Sequence, residues 1–322
     1  MGWIVGVAVA AVLVLACLSP LQTARWWPRE GHARTRELLV GPEPACPVDG
    51  LPERFVVYLS GVGDIDPEAE PHEDEEWILG EIERARPDTT VIREVFPYAV
   101  TNHRALGRAT GGSAELAEQA GEGVGRVVTA LLLQVRNVVQ ALIAADPRYG
   151  PTYYADLARQ VWAQLTEQGY RRGCGVPVTF LGYSGGAQMA LGVSWLLTLH
   201  HVRCSVISLG GVYSDDRGFA HVEHFWDIRG SRDRIRLMGP LWCPGRWPIN
   251  TFSTFHSARR QGRVTVVDLG PFGHHGDGGY FDADSRTDDG RSHAEATRDA
   301  VLTALGEAAE LRGGAGSPSL GQ

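Results

Sequence analysis

The chain has 322 residues, a length that fits one large α/β domain or two small ones, and 43% of them are hydrophobic, enough to build a sizeable core and to set a disordered chain aside. Its 30 basic and 38 acidic residues leave a net charge of -8, so no global positive field draws in nucleic acid, and nucleic-acid binding is excluded as a partner class. All the basic residues are arginine, which reads as compositional bias of the source genome rather than as a functional need.

Residues 3–22, WIVGVAVAAVLVLACLSPLQ, carry no charge and supply roughly the 20 apolar residues that a helix needs to cross a bilayer. They predict an N-terminal transmembrane helix, with a cleaved signal peptide as the main competitor and a lipoprotein lipidated at Cys17 as the third reading. No basic residue precedes the segment and its length exceeds a usual signal core, which favours the anchor. Arg25, Arg29, Arg34 and Arg36 follow it, so the positive-inside bias leans toward a body on the cytoplasmic face of a bacterial cell membrane.

The stretch 25–50 contains WWPRE, GPEP and ACPVDG and reads as a linker. Apolar, β-branched runs then recur at 55–60, 89–96, 176–183, 204–211, 224–230 and 263–270. Helical patterns separate most of them, which predicts a mainly parallel sheet with helices on both faces. The gap at 97–175 is too long for a plain crossover. Within it, residues 124–145 form an amphipathic pattern read as a core or cap helix, or as a helix on a membrane surface, and 154–168 predicts a second helix.

Cys17, Cys46, Cys174, Cys204 and Cys243 include no CxxC pair and no zinc-type spacing, so no structural metal site is expected. Cys174 and Cys204 each precede a predicted strand. They are read either as a disulfide or, the commoner case, as two buried thiols.

The run VPVTFLGY leads straight into GYSGG, and AQMALGVSWLLTL follows as a helix. That context puts Ser184 on a strand-to-helix turn where glycines remove the Cβ clashes of a sharp bend, as in a nucleophile elbow; the competing reading is a Gly-rich turn with a capping serine. Serine needs a base and an oriented carboxylate to react at neutral pH. Asp233 follows the strand HFWDIRG, with Asp215 and Asp216 as competitors and Asp227 read as structural. His274 and His275 follow RVTVVDLG; His274 is preferred because it directly follows Gly273, with His275 second. The oxyanion donors are expected at the amide of Gly185 and, after the strand FVVYLS, at Val62 or Gly63 in SGVGD.

In their order, LSGVG, GYSGG, GSRD and GHH resemble the α/β-hydrolase superfamily over about residues 55–312. The resemblance implies an α/β-hydrolase fold and a cofactor-free enzyme that cleaves esters, thioesters or amides through an acyl-enzyme. The expected organisation is an anchor over 1–24, a linker over 25–50, a hydrolase domain over 51–312 with a helical insertion at about 99–150, and a disordered tail over 313–322. The anchor and the aromatic segment GPLWCPGRWPINTF, read as part of a lid, favour a small-molecule or lipid ester as substrate. A thioesterase or peptidase on the same triad, and an inactive membrane-binding module, are the alternatives.

Overall fold

Each of the six apolar runs forms a strand, since β-branched and aromatic residues suit a pleated, packed surface. The computed structural model describes residues 46, 50–61, 73–93, 95 and 150–315, and the elements below belong to these. The strands are β1 (Arg54–Leu59), β2 (Thr89–Ile92), β3 (Val178–Tyr183), β4 (Cys204–Leu209), β5 (Phe225–Arg229) and β6 (Val264–Asp268). They make a sheet in the order β2-β1-β3-β4-β5-β6, parallel at every described pairing.

The helices are α1 (Glu73–Ala85), α2 (Gly150–Glu167), α3 (Gly186–Thr198), α4 (Met238–Trp242), α5 (Thr254–Arg260) and α6 (His293–Ala315). Side chains alternate across each strand, so the sheet offers two apolar faces. Phe55, Val57, Leu59, Phe180, Val206 and Phe225 point into one core, with Tyr154, Leu157 and Val161 of α2, Ala187 and Leu191 of α3 and Phe255 of α5. Val56, Tyr58, Leu181, Ile207, Trp226 and Ile228 point into the other, with Ile78 and Ile82 of α1 and Val301 and Leu305 of α6. This is the doubly covered parallel sheet that the alternating pattern predicts.

Strand order determines where a site can form. β1 and β2 extend the sheet one way and β3 to β6 the other, so the order reverses between β1 and β3. At such a reversal the loops leaving the carboxyl ends of neighbouring strands diverge to opposite faces and leave a crevice. Gly61 and Ser184 lie just beyond those two strand ends.

Three sequence expectations change. Among the described residues the run 89–96 pairs only as far as Ile92, and the helix expected over 154–168 starts earlier, at Gly150. Cys174 is bonded not to Cys204 but to Cys46, with sulfurs 2.04 Å apart. The reason is the pleat: Cys204 opens β4 with its side chain in the first core, opposite Val178, where its thiol contacts the Val202 carbonyl. Burial pushes that thiol well above its usual range, and Cys204 stays a buried free thiol. The predicted anchor at residues 3–22, the amphipathic pattern at 124–145, Val62 and Gly63 lie outside the described residues. Among the described residues no helix is long and apolar enough to cross a membrane.

Candidate active site

Ser184 follows directly on the last residue of β3 and adopts φ 52°, a left-handed conformation uncommon outside glycine. Tertiary contacts hold the strain in place. The Ser184 amide donates to the Leu209 carbonyl of β4 at 3.0 Å, and the Ser184 carbonyl accepts from the Val212 amide at 2.9 Å. The flanking glycines are required by space: a Cβ on Gly182 would lie 2.6 Å from the Ala187 nitrogen, and one on Gly186 2.1 Å from the Leu59 carbonyl oxygen. α3 then begins at once, almost wholly buried, with its positive dipole end at the serine.

Asp233 lies in the loop beyond β5 and is fully enclosed. Its Oδ1 accepts from the amides of Ile235 at 2.9 Å and Arg236 at 3.2 Å. Its Oδ2 accepts from His274 Nδ1 at 2.8 Å and from the Tyr280 hydroxyl at 2.8 Å. Burial alone would raise this carboxyl, but the hydrogen bonds from His274, Tyr280 and the backbone outweigh it and hold the group below its usual range. An ionised carboxylate only accepts, so His274 carries its proton on Nδ1 and presents a bare Nε2. That Nε2 lies 2.9 Å from Ser184 Oγ, which donates to it. A hydroxyl, an imidazole and a carboxylate from three strand ends thus form one hydrogen-bonded chain.

The other candidates have different surroundings. His275 is exposed, its ring edge-on to His274 with centroids 5.4 Å apart. Asp216 is buried and accepts from the Tyr154 hydroxyl at 2.9 Å, Gln188 Nε2 at 3.0 Å and the Gly218 amide at 2.7 Å. Burial pushes it above the usual carboxylate range in spite of those donors, and its network ties α2 to the first turn of α3. Asp215 accepts from the Thr254 hydroxyl and the Phe255 amide at the start of α5. Asp227 stays within β5, paired in register with Ser208, and burial raises its carboxyl.

Gly185 caps α3, the position predicted for one oxyanion donor. Val62 and Gly63 are not among the described residues, but Gly61 ahead of them is: a Cβ there would lie 3.1 Å from Ser184 Cβ, so the chain leaving β1 passes close to the serine at Gly61.

Two tyrosines escape any reading by spacing. Tyr280 bridges the Gly230 amide, which donates to its hydroxyl at 2.8 Å, and Asp233, to which it donates. Burial, with Asp233 beside it, holds its phenol far above the usual range and keeps it a donor. Tyr183, the variable residue of GYSGG, donates to the His274 carbonyl at 2.7 Å and stacks on its ring with centroids 5.2 Å apart and planes at 22°. An aromatic residue inside the elbow was the available signal for Tyr183; Tyr280, six residues past His274, had none.

No protein-family model matches the chain, and no curated protein matches it. Among solved structures, one of a protein described as a dienelactone hydrolase, from Klebsiella pneumoniae subsp. pneumoniae MGH 78578, aligns over 82% of this chain and 88% of its own, with 13% identity and a TM-score of 0.41.

Proposed function

We propose that the chain is a serine hydrolase of the α/β-hydrolase type that opens ester bonds through an acyl-enzyme on Ser184. The observation that carries this reading is the unbroken chain from Ser184 Oγ through His274 to Asp233, with links of 2.9 and 2.8 Å between residues 90 and 41 positions apart. Such a chain serves no packing purpose at a strained, partly exposed turn, where a capping serine would bond its own helix.

In the proposed reaction Ser184 Oγ attacks the acyl carbonyl while its proton passes to His274 Nε2. Asp233 holds the imidazolium in place. The tetrahedral oxyanion lies toward the start of α3, with the Gly185 amide and the loop containing Val62 and Gly63 as its donors. Collapse breaks the bond to the leaving oxygen, which takes the proton from His274. Water then repeats the sequence and releases the acid.

The exposed apolar segment directly beyond Asp233 favours an apolar acyl substrate over a small polar one. We further propose a single membrane anchor at residues 3–22. The Cys46–Cys174 bond favours an oxidising compartment for the body, on the opposite side from the one the arginines suggest, because disulfides persist outside the reducing cytoplasm. A panel of acyl esters from short to long chain tests the activity: turnover should fall by about 10⁴-fold or more in Ser184→Ala. A wild-type protein inert on every ester and thioester, or an undiminished Ser184→Ala, would overturn the reading.

A further inference from the structure

Six large apolar side chains stand in water within sixteen residues of one another, just beyond the Asp233 loop: Leu237, Leu241, Trp242, Trp247, Ile249 and Phe252. Leu241 is 68% exposed, Ile249 84% and Phe252 95%, far more than a lid folded onto its own domain would leave. The backbone beneath them is fixed, so they are not a frayed tail. The Trp247 indole donates to the Pro240 carbonyl at 2.8 Å, the Arg246 guanidinium lies over the Tyr213 ring at 3.9 Å, and Ser253 caps α5.

Charge separates this face from the rest of the molecule. Residues 232–263 hold seven arginines against one carboxylate, the enclosed Asp233, in a chain of net charge -8. Arg232, Arg234, Arg259 and Arg260 are exposed and have no ion-pair partner among the described residues, whereas Arg291 and Arg298 sit on Asp289, Asp299 and Glu81. Tryptophan, isoleucine and phenylalanine flanked along the chain on both sides by exposed arginines without ion-pair partners suit the boundary between acyl chains and anionic headgroups. A second copy of this chain fits worse, because a self-complementary contact would bring the same unpaired arginines face to face.

We infer that the segment between β5 and β6 docks on an anionic lipid bilayer, with Trp242, Trp247, Ile249 and Phe252 entering the interface and the exposed arginines facing lipid phosphate or carboxylate. Because the segment springs from the loop that holds Asp233, docking sets the strand ends bearing Ser184 toward the lipid. The predicted N-terminal anchor would keep the chain at a membrane whichever way it faced; the docking face selects one orientation.

An environment-sensitive nitrobenzoxadiazole label tests this on the full chain reconstituted into vesicles. In a Cys17→Ala, Cys243→Ser background it is attached at Phe252→Cys, at Ile249→Cys, or at Gln168→Cys, the exposed first residue of the turn that leads from α2 toward the amino end of β3. In phosphatidylcholine vesicles containing phosphatidylglycerol, the labels at 252 and 249 should gain emission several-fold and shift to the blue, while the label at 168 stays aqueous. Arg259→Gln with Arg260→Gln should return the gain toward its value in pure phosphatidylcholine. Labels at 252 and 249 that stay aqueous on the anionic vesicles would overturn the inference. So would a gain that needs no lipid and grows with protein concentration, which would assign the face to self-association. These readouts are independent of whether Ser184 turns over any ester.

Discussion

Asp233 carries four donors, and removing any one of them changes what His274 can do. The Tyr280 hydroxyl is the donor most easily deleted without disturbing shape, because its ring is packed against Phe272 and Tyr183. Tyr280→Phe leaves the carboxylate negative charge less delocalised, so protons bind the His274–Asp233 pair more tightly. The acid limb of kcat/KM, which belongs to the coupled pair, should move to higher pH, and kcat should fall by about ten-fold, the loss of one charge-assisted hydrogen bond. A profile superimposable on wild type would remove Tyr280 from the site. Stability follows the same carboxylate. Its folded pKa lies below the ordinary value of about 3.9, so the stabilisation is complete above that value and drains away as pH falls through the lowered one. Urea midpoints measured from about pH 5 to pH 2 should therefore fall more steeply for wild type than for Asp233→Asn. Ser184, His274 and Asp233 were legible as candidates because each sits at a motif on a strand end. Tyr280 was not, since only the folded loop brings it back over Gly230 and Asp233.

At the scale of the element, the strand-to-helix turn exists because β1 and α3 pack backbone to backbone. Gly186→Ala would drive a methyl into the Leu59 carbonyl, which cannot swing aside as a side chain could. We predict a loss of about 1–3 kcal/mol by urea unfolding, with Ser184 reactivity reduced at temperatures where the fold survives. An unfolding midpoint equal to that of wild type would show that the two elements part more easily than this contact implies. All six strands were legible from β-branched runs bounded by turn residues: the inner strands are buried on both faces and so are apolar throughout, and the partly exposed edge strands β2 and β6 are still rich in Thr, Val and Ile. Element ends were not. β2 ends at Ile92 although the apolar pattern runs on to Phe96; among the described residues only Thr89–Ile92 pair with β1. The segment from Gly239 to Phe252 read as an aromatic lid candidate; exposure, which depends on how a loop sits over the sheet, decided that most of its large apolar side chains face outward.

For the whole molecule, the Cys46–Cys174 bond joins the stretch before β1 to the loop before β3, at the edge of the sheet away from Ser184. It closes a sequence separation of 128 residues and so restricts the unfolded chain far more than the native one. Cys46→Ser should lower stability by about 2–4 kcal/mol while leaving the Ser184–His274–Asp233 chain reactive below the transition. A stable protein that had lost Ser184 reactivity would instead show that the bond shapes the site. This pairing was hidden in the sequence because cysteine connectivity depends on which face of the pleat each residue takes, and Cys204 takes the inner one. Hydrolysis by this site requires one local chemical event, activation of Ser184 Oγ by His274. Its most direct measurement is the mass of the intact protein after exposure to a fluorophosphonate, followed by peptide mapping of the adduct. A single phosphonyl group on Ser184, strongly slowed in His274→Ala and absent in Ser184→Ala, is the predicted result; an unmodified Ser184 in folded wild-type protein, or an adduct that forms equally fast without His274, would contradict it.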